Sequence, residues 1–131
     1  MNVRFKRKTD LFIFIIICLL FVYVVAKAVL IDVTHDEAYT FHNVKKFWYA
    51  EALCTGNTHW INSLAIKCAI MLNLESLWQI RWFSILSAMI FFLIAFLWIR
   101  SVKENHLKFL ICAVLLFNPY ILGYFSIARG Y

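Results

Sequence analysis

Residues 11–31, LFIFIIICLLFVYVVAKAVLI, decide the fold class of this chain. An α-helix rises about 1.5 Å per residue, so about 20 apolar residues cross the hydrocarbon core of a bilayer, which is about 30 Å thick. The first charge in the run is Lys27, about one turn from its end, where a lysine can extend to the interface. The run is too long for the apolar region of a signal peptide and has no small-x-small cleavage site at its end. We therefore predict an uncleaved first transmembrane helix.

The composition agrees with a membrane protein. Of 131 residues, 64% are hydrophobic and 15% are charged, against about 45–50% and about 25% in soluble domains. One Pro and three Gly exclude the disordered and collagen-like classes. The net charge of +6 is attributed to membrane orientation and not to nucleic-acid binding, because the basic residues flank apolar runs. Four of them precede the first run and predict a cytoplasmic N-terminus: Arg4, Lys6, Arg7 and Lys8.

Two further apolar runs, residues 80–99 and 109–126, are predicted to cross the membrane. The loop between them carries an excess of basic residues, which predicts that it is cytoplasmic. The Asn118-Pro119 step within the last run predicts a kink, because Pro has no N–H group and clashes with the preceding turn. The predicted fold is an all-α membrane protein, with residues 1–131 forming one membrane domain with three crossings.

Residues 32–79 are predicted to form an outer loop with two helices that lie flat on the membrane surface. Thr34 or Asp36 can cap the first helix, whose apolar residues recur at three- and four-residue steps over residues 38–53. The second helix, residues 60–74, is about 15 residues long, which is short for a crossing. A short true crossing is the alternative for this segment.

The four cysteines do not form a recognisable metal or redox motif. No two of them have Cys-x-x-Cys spacing, so a zinc knuckle or a thioredoxin-like site has no support. Cys18 and Cys112 lie in apolar runs, where cysteine behaves as a small hydrophobic residue. Cys54 and Cys68 both lie in the predicted outer loop, and a disulfide between them stays open.

Asp36-Glu37 is an adjacent acidic pair just beyond the first crossing. Consecutive helical residues point about 100° apart, so the two carboxylates need not have the same role. One could act as a general base toward an acceptor hydroxyl or amine, and the other could hold a metal or a basic partner. The alternative is a solvated loop with two capping acids.

Other polar residues are predicted to collect at the same outer interface as the acidic pair. Arg81 and Arg129 begin and end crossings there, and a guanidinium group suits a phosphate or pyrophosphate. Anchoring to lipid headgroups is the alternative for each arginine. The histidines have no His-x-x-x-His spacing, so they do not by themselves predict a metal site. The predicted outer set comprises Asp36, Glu37, His59, Arg81, Arg129 and Tyr131, whereas the cytoplasmic side is expected to carry only basic anchors.

Four motifs follow one another along the chain: HDEAY (35–39), NTHWINSL (57–64), RWFS (81–84) and SIARGY (126–131). In this order they resemble the start of bacterial membrane glycosyltransferases of the GT-C class. The chain looks most like the family 39, protein-mannosyltransferase-like group, whose members transfer sugars such as mannose, aminoarabinose or galacturonic acid from polyprenyl phosphates. The resemblance covers nearly the whole chain.

The resemblance implies a role for each candidate site residue. Asp36 matches the catalytic base, and Glu37 matches its supporting neighbour. Arg81 matches a basic residue near the active site, and Arg129 and Tyr131 match an Arg-x-Tyr pair near the donor phosphate. The remaining candidates for substrate binding are His59 and Asn62. No cofactor is implied with certainty, and a divalent metal that neutralises the phosphate is an open alternative.

The resemblance also implies the location and partners of the chain. We expect a multi-pass protein of the bacterial inner or plasma membrane, with the active-site loop outside. Its partners would be a polyprenyl-phosphate sugar and membrane lipids, with no nucleic acid.

The chain departs from the family pattern in two respects. Many relatives have His-Pro-Pro-Leu or Lys-Pro-Pro-Leu where this chain has His59-Trp60-Ile61-Asn62. Family members have many more crossings, so we expect an N-terminal fragment that is inactive alone and pairs with the remaining C-terminal part of the enzyme. The alternative is a small non-catalytic membrane protein with a structural or partner-binding role.

Overall fold

A computed structural model describes residues 8–46, 60–74 and 76–127, and all regular structure in these ranges is helical. Two of its helices are long and apolar enough to cross a membrane, or three if a bent pair counts as one span. These findings indicate an all-α membrane protein. The helices are α1 (Lys8–Leu30), α2 (His35–Lys46), α3 (Trp60–Met71), α4 (Leu77–Ile80), α5 (Trp82–Ser101), α6 (Asn105–Leu116) and α7 (Pro119–Phe125).

The two long helices, α1 and α5, pack against each other in antiparallel directions. The rings of Phe14 and Phe96 lie 5.5 Å apart, and those of Phe21 and Phe92 lie 6.3 Å apart. Residue numbers therefore rise along α1 as they fall along α5. At the far end of the pair, the guanidinium of Arg81 reaches the carbonyl of Ala28. This contact places the end of α1 and the start of α5 at the same end of the bundle.

The last predicted crossing is broken into α6 and α7, which are bent by 52° relative to each other. The break falls at Asn118-Pro119, so the predicted kink is confirmed. Asn118 caps α7, because its side-chain oxygen accepts hydrogen bonds from Tyr120 N at 3.0 Å and Ile121 N at 3.4 Å. The cap satisfies two N–H groups that a new helix start leaves without carbonyl partners.

The core lies between α1, α5 and the bent pair. Ala88 and Ala95 of α5 are buried, and small residues of this kind let helix backbones approach closely in a membrane. Phe125, at the end of α7, lies 5.2 Å from Phe91 and 6.4 Å from Phe92, near the middle of α5. The outward faces are also apolar, as expected next to lipid; the exposed residues include Phe12, Ile15, Leu19, Val22, Leu93, Ile94, Trp98, Leu110, Val114 and Phe117.

The end of the bundle where α1 begins contains a buried ion pair that the sequence did not predict. Lys108 Nζ, in the first turn of α6, bonds to Asp10 Oδ1, in the first turn of α1. Both residues are buried. Phe12 and Phe109, which are close to them in sequence, have ring centroids 6.4 Å apart. The expectation that the predicted cytoplasmic side carries only basic anchors is therefore wrong, because Lys108 forms a buried ion pair with Asp10.

The segment that connects α1 to α5 contains α2, α3 and α4. Val44 of α2 packs on Ile66 of α3, with Phe41 and Ile70 beside them. α3 ends at Met71, three residues before the predicted end at residue 74, whereas residues 47–53 of the first predicted helix lie outside the described residues. After α3 the chain turns through Asn73, whose φ of 57° lies in the left-handed region that Asn tolerates better than most residues.

Candidate functional site

The centre of the candidate site is a closed ion pair between Glu37 and Arg81. Arg81 Nε donates to Glu37 Oε1 at 2.8 Å, and Arg81 Nη2 donates to Glu37 Oε2 at 2.7 Å. Both residues are 0% exposed. Two parallel bonds between a guanidinium and a carboxylate are the strongest geometry available to such a pair. The structure thus brings together two of the predicted site residues that are 44 positions apart.

The other donors of Arg81 close the C-terminal end of α1. Nη1 donates to Ala28 O at 2.7 Å and to Ile31 O at 2.8 Å, and Nη2 donates to Asp32 O at 3.1 Å. The last carbonyls of a helix have no partner within the helix and carry partial negative charge, which a cation stabilises. All five N–H groups of the guanidinium are therefore engaged in protein hydrogen bonds.

Glu37 also begins α2, through a capping box with Thr34. Glu37 Oε2 accepts hydrogen bonds from Thr34 N at 2.9 Å and from Thr34 Oγ1 at 3.0 Å. Glu37 N in turn donates to Thr34 Oγ1 at 3.4 Å. This reciprocal pattern between Thr at the cap and Glu three residues later is a known helix start. Of the two caps considered from sequence, Thr34 is the one that the structure uses.

Arg81 itself lies at the junction of two helices. It ends α4 and precedes α5, with backbone angles φ −89° and ψ 2°. Together with Glu37 it joins the end of α1, the start of α2 and the start of α5 at one point. We call this arrangement of Thr34, Glu37, Arg81 and the α1 carbonyls the three-helix junction.

Asp36 differs from its neighbour Glu37 in exposure. Its side chain is exposed and lies in the first turn of α2, where the positive end of the helix dipole favours a carboxylate. Its backbone carbonyl accepts a hydrogen bond from Thr40 Oγ1 at 2.8 Å. The same exposed side of α2 carries His35, Tyr39 and His42. The two carboxylates therefore have separate environments, one open to the exterior and one closed.

Asn62 does not share an open surface with Asp36. It is 3% exposed, on the side of α3 that faces the rest of the protein. Three more predicted site residues, His59, Arg129 and Tyr131, lie outside the described residues, as does Cys54. Within the described ranges, no group of three or more His, Cys, Asp or Glu side chains could hold a metal ion.

Two apolar grooves run along the outside of α1 and α5. The first, of about 240 Å³, is lined by residues that include Phe21, Trp78 and Trp82. The second, of about 370 Å³, continues toward Phe14 and Phe96 and shares Phe21 and Met89 with the first. These grooves offer an almost entirely apolar lining along the membrane-crossing part of the protein.

The sequence indicates one part of the three-helix junction, the capping box, but not the contact between Glu37 and Arg81. The Thr34-x-x-Glu37 spacing is the signal of a capping box, and it competes with a catalytic interpretation of Glu37. Asp10 was missed because one acid beside four basic residues looks like part of a charged flank. Its burial depends on Lys108, which is 98 residues away.

No family model, curated protein or solved structure matches this chain. The resemblance to membrane glycosyltransferases therefore stays a prediction from the quoted motifs.

Proposed function

We propose that this chain forms the N-terminal part of a membrane glycosyltransferase. The enzyme would transfer a sugar from a polyprenyl phosphate to an acceptor at the outer face of the inner or plasma membrane. The observation that supports this proposal is the position of Asp36. It is an exposed carboxylate six residues after the end of α1, in the first turn of α2, whose start is held by a buried ion pair. A general base needs such a fixed and accessible position.

In the proposed reaction Asp36 takes the proton of the acceptor hydroxyl. The acceptor oxygen attacks the anomeric carbon of the sugar from the side opposite the phosphate, and the carbon–oxygen bond to the polyprenyl phosphate breaks. The electron pair of that bond leaves on the phosphate, and the anomeric configuration is inverted. Groups that stabilise the developing charge on the phosphate would lower the barrier.

The structure changes the role that we propose for Glu37 and Arg81. All five N–H groups of Arg81 are engaged, and the carboxylate of Glu37 is 0% exposed. We therefore assign both residues to positioning: they hold the first turn of α2 against the ends of α1 and α5. The charge of the donor phosphate falls to Arg129 in this proposal.

The apolar grooves on α1 and α5 suit the isoprenoid chain of the donor. They begin at Trp78 and Trp82, at the end of α5 next to Arg81, and continue along the crossing. An isoprenoid chain in these grooves would bring its phosphate to the end of the bundle that carries Asp36. Burial of apolar surface would supply most of the affinity of the chain.

The test is a transfer assay with a radiolabelled polyprenyl-phosphate sugar in membranes that contain the chain together with any protein encoded downstream of residue 131. Asp36→Asn should abolish transfer, because the amide cannot accept the proton. Asp32→Asn is the matched control, since Asp32 is an exposed acid four residues away whose contact with Arg81 uses its backbone oxygen. Undiminished transfer by Asp36→Asn would refute the proposed mechanism.

A non-catalytic membrane protein is the second candidate function. The observation that favours it is the buried ion pair of the three-helix junction. This ion pair gives Glu37 and Arg81 a structural role that requires no catalysis. In that case Asp36→Asn and Asp32→Asn should have the same cellular effect as the unmodified chain. Loss of the cellular effect in Asp36→Asn alone, at a normal protein level, would favour the enzyme over the non-catalytic protein.

A further inference from the structure

One face of α1 lies beside α6 near the start of the two helices and is open to the exterior farther along. The rings of Phe12 on α1 and Phe109 on α6 lie 6.4 Å apart. At about 100° per residue, three later residues of α1 fall with Phe12 on one arc of about 80°: Leu19, Tyr23 and Lys27. Leu19 is 64% exposed and Tyr23 is 49% exposed. This face of α1 is therefore open at Leu19 and Tyr23.

The break between α6 and α7 explains why this face opens. Asn118 follows Phe109 by nine residues, or about 13 Å along α6, and Tyr23 follows Phe12 by eleven residues, or about 16 Å along α1. The break and Tyr23 therefore lie at nearly the same level. Beyond the break the chain turns by 52°, and Phe125 at the end of α7 packs against the middle of α5. We call the open face of α1 beside the break the α1 notch; its residues are Leu19, Tyr23 and Lys27.

Lys27 supplies the charge of the α1 notch. Its Nζ lies over the ring of Tyr23, 5.9 Å from the ring centroid. The carbonyls at the end of α1 accept hydrogen bonds from Arg81, and neither of the ion pairs described above includes Lys27. A ring face attracts a cation only weakly at an exposed site. Within the described part of the chain, the ammonium of Lys27 therefore has an aromatic partner and no carboxylate.

The α1 notch lies close to the headgroup region of the membrane. Lys27 precedes Leu30, the last residue of α1, by three positions, or about 4.5 Å. Trp78 and Trp82 flank Arg81 at the same end of the bundle. Tryptophans collect where lipid headgroups meet the hydrocarbon core. The ammonium and the phenol hydroxyl of the notch are therefore within reach of phospholipid phosphates.

We propose that the α1 notch binds one anionic phospholipid in the leaflet at this end of the bundle. Lys27 Nζ and the hydroxyl of Tyr23 donate hydrogen bonds to the phosphate oxygens. One acyl chain lies along Leu19, beside the break at Asn118. Charge decides for this occupant, because a cation without a carboxylate in a membrane helix needs an anion, and phosphates are present at this depth in every phospholipid.

The α1 notch is separate from the apolar grooves assigned to the isoprenoid chain. Phe21, which lines both grooves, lies about 160° around α1 from Tyr23. The two lipids would therefore occupy different sides of α1. This inference does not depend on the proposed enzymatic activity.

The test is quenching of a bimane label by lipids with brominated acyl chains in phosphatidylcholine vesicles. The label is attached at Leu19→Cys in a chain with Cys18→Ala, Cys54→Ser and Cys68→Ala. Cys112 is retained because it is buried and belongs to the core. The control label is at Ile94→Cys, on the exposed side of α5. Brominated phosphatidylglycerol and brominated phosphatidylcholine are compared at the same low mole fraction.

The label at position 19 should report a preference for phosphatidylglycerol of about fivefold, the factor expected for one lysine beside an anionic lipid. The label at position 94 should report none. Lys27→Gln should remove the preference, and Lys27→Arg should retain it. Lys45→Gln is the matched control, since Nζ of Lys45 also lies over an aromatic ring, that of Phe41, but on α2. It should leave the preference unchanged.

Four results would overturn the proposal. Equal quenching by the two lipids at position 19 would show that the notch does not select an anion. An equal loss in Lys27→Gln and Lys45→Gln would assign the preference to diffuse surface charge. Quenching at position 94 but not at position 19 would show that a protein covers the notch. Removal of the preference by inorganic phosphate, but not by chloride at equal ionic strength, would make the ligand a soluble anion.

Discussion

Asp36 and Glu37 are adjacent in sequence, yet the carboxylate of Asp36 is exposed whereas that of Glu37 is fully buried against Arg81. The difference follows from the helix they begin, because neighbouring positions on a helix point about 100° apart. One acidic dipeptide therefore contains an accessible group and a structural group. Substitutions at the two positions should have different consequences.

We expect Arg81→Met to destabilise the protein by about 3–5 kcal/mol, because it leaves the carboxylate of Glu37 buried without its cation. The measurement is thermal unfolding in detergent micelles. Arg100→Met is the matched control, since it removes the same group at the opposite end of α5. The double variant Glu37→Gln, Arg81→Met should recover part of the loss. If Arg81→Met were as stable as the unmodified protein, the three-helix junction would not contribute to stability as proposed.

Thr34→Ala should cost about 1 kcal/mol of stability, because the capping box at the start of α2 is lost. Thr34→Ser keeps the hydroxyl and should restore most of it. Thr40→Ala serves as the control, since the hydroxyl of Thr40 donates to the carbonyl of Asp36 within the helix and does not cap its start. Unfolding curves of the three variants in one detergent test the ranking. A loss at Thr40 as large as that at Thr34 would contradict it.

Asp10→Asn should also be destabilising, by about 3–5 kcal/mol, because Lys108 then stays buried without a carboxylate. Replacement of both partners, as Asp10→Leu with Lys108→Met, should be nearly neutral, since apolar groups suit the site. Unfolding of Asp10→Leu, of Lys108→Met and of the variant with both changes, in one detergent, measures the coupling between the two positions. If the two single losses simply add in the double variant, the pair is not coupled.

Asn118→Ala should weaken the start of α7 by about 1 kcal/mol, because two backbone N–H groups lose their acceptor. Asn118→Asp retains the acceptor oxygen and is the matched control. Amide hydrogen exchange at Tyr120 and Ile121 is the direct measurement, and it should become faster in the alanine variant alone. Unchanged exchange at both amides would show that the cap contributes nothing.

The membrane-crossing helices could be predicted from sequence because lipid imposes one requirement along their whole length. Residues 11–26 and 82–99 meet it without a charged residue, and they lie within α1 and α5. The kink at Asn118-Pro119 was equally readable, since Pro acts on its own backbone. These features depend on local chemistry alone.

The partners of the charged residues could not be predicted in this way. Nothing near Glu37 in sequence identifies Arg81, and nothing near Asp10 identifies Lys108, because each contact depends on how separate helices are placed. A count of basic residues treats Lys108 as a surface charge, whereas its burial beside Asp10 removes it from that count. For α3 the apolar residues predict a flat helix, with a short crossing as the alternative.

The carbonyls at the end of α1 set a condition on how the protein is made. Arg81 follows Ala28 by 53 residues and Ile31 by 50. At about 5–20 residues per second, the ribosome supplies that arginine roughly 3–10 s after the end of α1. Until then the last turn of α1 lacks the guanidinium that bonds to its carbonyls in the folded protein. Maturation of the first crossing therefore waits for the second, and a chain that stalls before residue 81 would leave α1 with an unfinished end.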